Sequence, residues 1–254
     1  MRKNNLMILV VIGVTTVMTS CKNGTAAKQN VNSDTASKKS TATEISLRKN
    51  VLTAEEQKAF TPDSVLQNLK AGNKRFVMND LTKRDHSAMV RNAYKAQYPK
   101  AVVISCLDSR VPVEDVFDKG IGDLFVGRVA GNFVNEDLLG SLEYGCKVSG
   151  AKLIVVLGHR SCGAIKAAID NVKLGNITAM LAKIEPAVVK SQDFKGEKTS
   201  KNDDFVEYVT KNNVINTIET IRSKSPILKE MEDKGEIKIV GAFYDLKTGE
   251  VIFL

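Results

Sequence analysis

Ala101-Val-Val-Ile-Ser-Cys106-Leu-Asp108-Ser-Arg110 and Leu153-Ile-Val-Val-Leu-Gly-His159-Arg-Ser-Cys162-Gly163 are the two stretches that decide the fold. Each opens on an uncharged run of strand length, Ala101 to Ser105 and Leu153 to Leu157, with no polar alternation. Unbroken Val, Ile and Leu runs mark strands covered on both faces, as in parallel sheets. A shorter run, Leu124 to Val126, lies within Gly122-Asp-Leu-Phe-Val-Gly-Arg128. Helical spacing fills the intervals: Val113 to Lys119, Leu138 to Val148, and then Cys162 to Asn171. Strand and helix in alternation predict an α/β fold, a mainly parallel β-sheet with flanking helices joined by right-handed crossovers.

Working outward, Thr61-Pro62-Asp63 sets an N-cap, a proline at the first helical position and an acid in the first turn, which predicts a helix to about Met78. Thr53 with Glu56 forms a capping-box pattern for a shorter helix before it. A polar link containing His86 follows. Downstream, Ile177 to Lys190 and Phe205 to Ser223 read as helices separated by a charged surface loop, and Ser225-Pro226 opens another that Gly235 stops. Glu236 to Tyr244 alternates as a strand, and Lys247-Thr248-Gly249 turns the chain into a hairpin partner at Glu250 to Leu254.

The amino terminus is of a different kind. Met1-Arg2-Lys3 is basic, Leu6 to Val17 is apolar, and small residues precede Cys21, so residues 1–20 read as an export signal of the lipoprotein type. Lipidation of Cys21 would anchor the protein to a bacterial membrane, on the periplasmic or cell-surface side; ordinary secretion with Cys21 free is the alternative. Residues 21–50, almost without large apolar side chains, read as a flexible tether. Of the formal charge of +8, residues 1–50 carry +6, from eight Lys and Arg against two Asp and Glu. The remaining residues 51–254 form one domain, close to neutral, and this excludes the basic footprint of a nucleic-acid binder.

The chemistry sits where the two long strand runs end. Cys106, His159 and Cys162 offer two thiolates and one imidazole, a ligand set suited to Zn2+. Three protein ligands leave one vertex open, the arrangement of catalytic zinc. A closed structural site needs a fourth Cys or His, for which only His86 and Cys146 remain. Cys146, within Gly140-Ser-Leu-Glu-Tyr-Gly-Cys146, reads as a small buried hydrophobe on a helix. The helix following Cys162 is expected to lower that thiol's pKa, and Gly158 and Gly163 to permit the tight backbone between the ligands. Asp108 and Arg110 place a carboxylate and a guanidinium beside the open vertex.

Cys106-Leu-Asp108-Ser-Arg110 together with His159-Arg-Ser-Cys162 resembles the C-x-D-S-R and H-x-x-C motifs of the β-class carbonic anhydrases. The likeness extends to Leu66-Gln-Asn-Leu-Lys-Ala-Gly-Asn-Lys-Arg-Phe76, to Ala130-Gly-Asn132 and to Gly241-Ala-Phe-Tyr-Asp-Leu, and covers Pro62 to Leu254. The resemblance implies one Zn2+ per chain on Cys106, His159 and Cys162, and reversible hydration of CO2 to bicarbonate by hydroxide generated at the metal. It implies that Asp108 accepts a hydrogen bond from the nucleophile, or becomes a fourth ligand in a closed resting state, while Arg110 holds it ionised. It implies a homodimer or higher even oligomer, with Gln97 lining the site across the interface. Proton transfer falls to buffer, to a chain of waters or to His86. Leu107 and Arg160 depart from the small or acidic residues common in relatives; Arg160, a bulky cation beside two ligands, leaves the affinity for anions and the rate undetermined by the resemblance. Two other functions fit the same motifs: hydrolysis of a related heterocumulene such as CS2, and a zinc- or bicarbonate-binding module without turnover.

Overall fold

The structure, a computed structural model, describes residues 46–254. The expected signal, the expected lipidation site Cys21 and most of the expected tether lie outside the described residues. Among the described residues, no helix is long and apolar enough to cross a membrane. In chain order the elements are α1 (Ala54–Ala59), α2 (Pro62–Val77), α3 (His86–Ala93), β1 (Ala101–Ser105), α4 (Val113–Val116), β2 (Leu124–Arg128), α5 (Glu136–Glu143), β3 (Leu153–His159), α6 (Gly163–Ile169), α7 (Gly175–Leu181), α8 (Glu185–Lys190), α9 (Asp203–Lys224), α10 (Pro226–Asp233), β4 (Lys238–Tyr244) and β5 (Val251–Phe253).

The strands form one sheet in the order β2-β1-β3-β4-β5, parallel except for the terminal β4–β5 pair. Side-chain alternation divides the apolar runs between two faces. Val102, Ile104, Ile154 and Val156 pack with Val214, Ile218 and Leu228 of α9 and α10. Ala101, Val103, Leu153, Val155 and Leu157 pack with Val65 and Leu69 of α2 and Val116 of α4. The central strands β1 and β3 are buried throughout, while the edge strand β2 is only half-buried.

Both capping boxes form, at Thr53 with Glu56 and at Thr61 with Ser64 in the third position. Four expectations change. Ile177 to Lys190 is two helices, α7 and α8, because Pro186 has no N–H to offer Ala182 and its ring obstructs that carbonyl. The stretch expected as a helix over Leu138 to Val148 is α5 followed by one wide turn, closed by Ser149 N–H on the Tyr144 carbonyl. His86 is not in a link but begins α3, whose N-cap is Asp85.

The fourth change concerns the tether, which ends earlier than residue 50. Arg48 pairs by backbone hydrogen bonds with Lys83 and Asp85, and its guanidinium forks onto buried Asp123 at 2.8 and 2.9 Å. Neighbouring Asp118, with its carboxylate fully buried, accepts from Thr82 Oγ1 at 2.7 Å, from Arg75 and from Arg84. Burial alone would raise its pKa, but these donors outweigh burial and hold it at about 2. A carboxyl depressed below its unfolded value of about 3.9 contributes stability above that pH and loses it as pH falls through about 2. Asp118→Asn should therefore cost about 2 kcal/mol near neutrality, since Arg75 is partly solvated. That cost should shrink between about pH 4 and pH 2, as read from urea unfolding midpoints across the range.

Candidate metal centre

The chain leaves β1 for β2 on one side, then returns across β1 to form β3 on the other. A parallel sheet that reverses its winding in this way opens a crevice at the carboxyl ends of the two strands flanking the switch. Register aligns Ser105 with Leu157, so Cys106 leaves β1 level with Gly158, and His159 ends β3 one residue further on. Cys162 completes the group as N-cap of α6. The 52 residues of sequence between Cys106 and His159 are spanned by two adjacent strand ends.

Among the described residues, Cys106, His159 and Cys162 form a metal-competent group with all donor atoms within 4.8 Å of one another, each residue buried. The two sulfurs are 3.9 Å apart. Two thiolates at about 2.3 Å from a tetrahedral zinc stand about 3.8 Å apart, so the spacing fits. His159 is fully buried; its Nδ1 lies 2.9 Å from the Arg160 carbonyl and must carry the proton, which leaves the lone pair on Nε2. That Nε2 has no hydrogen-bond partner. A buried imidazole nitrogen without a partner, facing two thiols, is what a metal ligand looks like before its ion.

The two thiols divide the charge unequally. Cys106 is driven far below the ordinary thiol range, chiefly by the Cys162 thiol donating to it, with help from the Gly131 N–H at 3.4 Å. Cys162 is pushed up by the same pairing and by burial, although the Ala164 and Ile165 N–H groups at the start of α6 pull the other way. Negative charge thus settles on Cys106, and a divalent cation would draw the second proton off Cys162. Gly163 faces open space and carries no constraint; Gly158 does, because a Cβ there would lie 2.8 Å from Val214 Cγ2, and the bend itself is made by Ser161 at φ +54°.

Asp108 faces the same space, with Oδ2 3.9 Å from His159 Nε2. Arg110 holds both its oxygens, Nε to Oδ1 at 3.0 Å and Nη2 to Oδ2 at 2.8 Å, and adds its backbone N–H at 2.9 Å. That guanidinium fork keeps the carboxyl down at about 2. Asp108 accordingly stands outside the metal-competent group, in the open arrangement. Four contacts were not read from sequence. Arg128 donates to the carbonyls of Cys106 at 3.0 Å and Asp108 at 2.6 Å, pinning the backbone on either side of exposed Leu107. Gly131, at φ +86°, aims its N–H at the Cys106 sulfur, and buried Asn213 of α9 donates to its carbonyl at 2.7 Å. Only Ala130-Gly-Asn132 carried a signal of this in the sequence.

Other expected site residues lie elsewhere. Gln97 precedes β1, in a groove with Gln57, Tyr98 and Lys152, at the opposite end of that strand from Cys106. His86 is exposed beside Arg84, whose partner Asp118 also lies at that far end, so it cannot serve the site of its own chain as a shuttle. Cys146 is buried, and burial pushes its thiol up to about 12, as fits a packing residue. Arg160 is no free cation: Asp245 and Glu207 both pair with it at 2.8 Å.

A sequence model of the carbonic anhydrase family matches residues 101–251. The chain belongs to the β-carbonic anhydrase family. It is 34% identical over 197 residues to carbonic anhydrase 2 of Mycobacterium tuberculosis, covering 75% of this chain and 92% of that one. A carbonic anhydrase of Mycolicibacterium smegmatis is 35% identical over 193 residues, at the same coverage. The β-carbonic anhydrase of Coccomyxa, solved in complex with acetazolamide, superposes with a TM-score of 0.57 at 25% identity, over 75% of this chain and 84% of that one. A tetrameric β-carbonic anhydrase of Sordaria macrospora shares the fold with a TM-score of 0.59 at 21% identity, over 75% and 93%. The family uses zinc, and the Cys106, His159 and Cys162 donors fit it.

Cys106→Ser should leave the purified protein with well under half of the zinc that the unmutated chain binds, about one ion per chain. Cys146→Ser should bind zinc as the unmutated chain does. Metal analysis by atomic emission after gel filtration reads both.

Proposed function

We propose that this protein is a zinc-dependent carbonic anhydrase, catalysing the reversible hydration of CO2 to bicarbonate and a proton. The observation that carries the reading is the convergence of Cys106, His159 and Cys162 with an ionised Asp108 facing the same space, 3.9 Å from His159 Nε2. Cys106, His159 and Cys162 would hold zinc, which would supply Lewis acidity and bring the pKa of water from about 16 toward 7, a figure that belongs to a carbonic anhydrase with three imidazole ligands.

The chain's own residues do the rest. Asp108, kept as a carboxylate by Arg110, can only accept a hydrogen bond, so it fixes one O–H of the attacking water and turns an oxygen lone pair toward CO2. Holding the nucleophile in one orientation removes entropy from the barrier before reaction. Arg128 keeps Asp108 at this position by gripping the backbone on both sides of Leu107. Apolar Val129, Phe133 and Ile165 pack in one cluster with the two cysteines, so the metal-competent group is set in non-polar surroundings. The proton leaves through solvent or buffer.

We further propose an even-numbered homo-oligomer in which Gln97 of the partner subunit completes the site. Gln97 lies remote from the site of its own chain, and the relatives from Sordaria macrospora are tetrameric. The apolar run Leu6 to Val17 followed by Cys21 supports export and lipid anchoring to a bacterial membrane.

Stopped-flow CO2 hydration tests the activity. Catalysis should vanish when a chelator strips the metal and return with added zinc, and hydration that persists in metal-free protein would end this reading. Asp108→Asn should keep zinc while lowering kcat/KM by about 100-fold.

A further inference from the structure

Arg160 carries more contacts than any surface cation needs. Its Nε and Nη2 fork onto Asp245 at 2.8 and 3.0 Å, and Nη2 also reaches Glu207 of α9 at 2.8 Å. The guanidinium lies 5.8 Å from the centre of the Phe243 ring. Its backbone N–H donates to the Tyr244 carbonyl at 3.0 Å. Its own carbonyl is the acceptor for His159 Nδ1 at 2.9 Å. The next residue, Ser161, sits at φ +54°, a conformation that a side chain with a Cβ adopts at a cost. A turn with that conformation holds one geometry only when its surroundings fix it. Asp245 is itself fixed, since it accepts from the Lys247 N–H at 2.8 Å within the β4–β5 turn.

We propose that Arg160 is a positioning residue for the metal centre. Its side chain bolts the turn after β3 to α9 and to the β4–β5 turn, and thereby fixes the carbonyl that holds the His159 ring with Nε2 facing the two sulfurs. The inference rests on the zinc reading above. A ligating imidazole is oriented by the acceptor of its other N–H, and loss of such a partner weakens metal binding by about 10- to 100-fold. The two carboxylates neutralise Arg160, so its role is mechanical, and a planar fork engaging Asp245 through two nitrogens is not replaced by a lysine.

The test uses the purified full-length protein, loaded with zinc or with Co2+. Zinc transfer to a chromogenic chelator gives the release rate, and the visible spectrum of the cobalt form reports ligand geometry. Arg160→Gln should release zinc about 10- to 100-fold faster and shift the cobalt bands, and Arg160→Lys should recover little of either. Asp245→Asn should act in the same direction, and the double variant should be no worse than Arg160→Gln alone, because that substitution already removes the fork on Asp245. Should Arg160→Gln fail to fold, Glu207→Gln removes one carboxylate and leaves the fork, and a release rate raised about two- to tenfold is expected, an unchanged rate counting against the inference. Variants that lower the melting temperature but keep the zinc release rate and cobalt spectrum of the unmutated chain would overturn the inference alone. Failure of the unmutated chain to hold zinc would overturn the proposed function and this inference with it.

Discussion

The parallel pairing of β1 with β3 is the constraint on which the rest depends. Because Ser105 lies opposite Leu157, the residues leaving the two strands emerge side by side, and a thiol and an imidazole 53 positions apart in sequence face one point. A shift of one residue in that register would turn every side chain of one strand to the other face and would also separate the donors. The apolar packing on both faces of β1 and β3 therefore holds the metal centre as directly as it holds the sheet.

Around that pair, α9 acts as the common support. Phe205, Val209, Asn213, Thr217 and Ile221 recur along its buried face. Gly158 lets the helix approach β3 closely, Asn213 ties it to the Gly131 carbonyl behind Cys106, and Glu207 ties it to Arg160 beside His159. One helix thus reaches the surroundings of two ligands from behind, while Arg110 and Arg128 secure Asp108 from the front. Outer contacts of this kind set ligand orientation and hence the strength of the metal site.

At the other end of the sheet, Asp118 and Asp123 gather Arg48 and Arg84 from the polar segments before and after α2, and Arg75 from α2 itself. These segments have little apolar surface of their own, so buried carboxylates supply the docking that packing cannot. The polar character of residues 46–50 suggested tether, whereas Arg48 belongs to the fold; nothing in its immediate sequence names Asp123 as its partner, 75 residues away.

Local chemistry made most of the elements legible. Aliphatic runs marked the central strands, Thr53 and Thr61 marked helix starts, and the ligands stood out because Cys and His fell directly after strands. The same local reading missed the break at Pro186, where apolar spacing continued across a residue that cannot donate the helical hydrogen bond, and it assigned free charge to Arg160. The error at Arg160 has a plain cause: the charge of a side chain is settled by partners brought in from distant sequence. By itself, the sequence determined the α/β pattern, the three donors and Asp108 with Arg110, since periodicity and ligand chemistry are written in neighbouring residues. The tertiary structure alone decided the strand order, the neutralisation of Arg160 and the distance of Gln97 from its own site, because each depends on which strand ends meet in space.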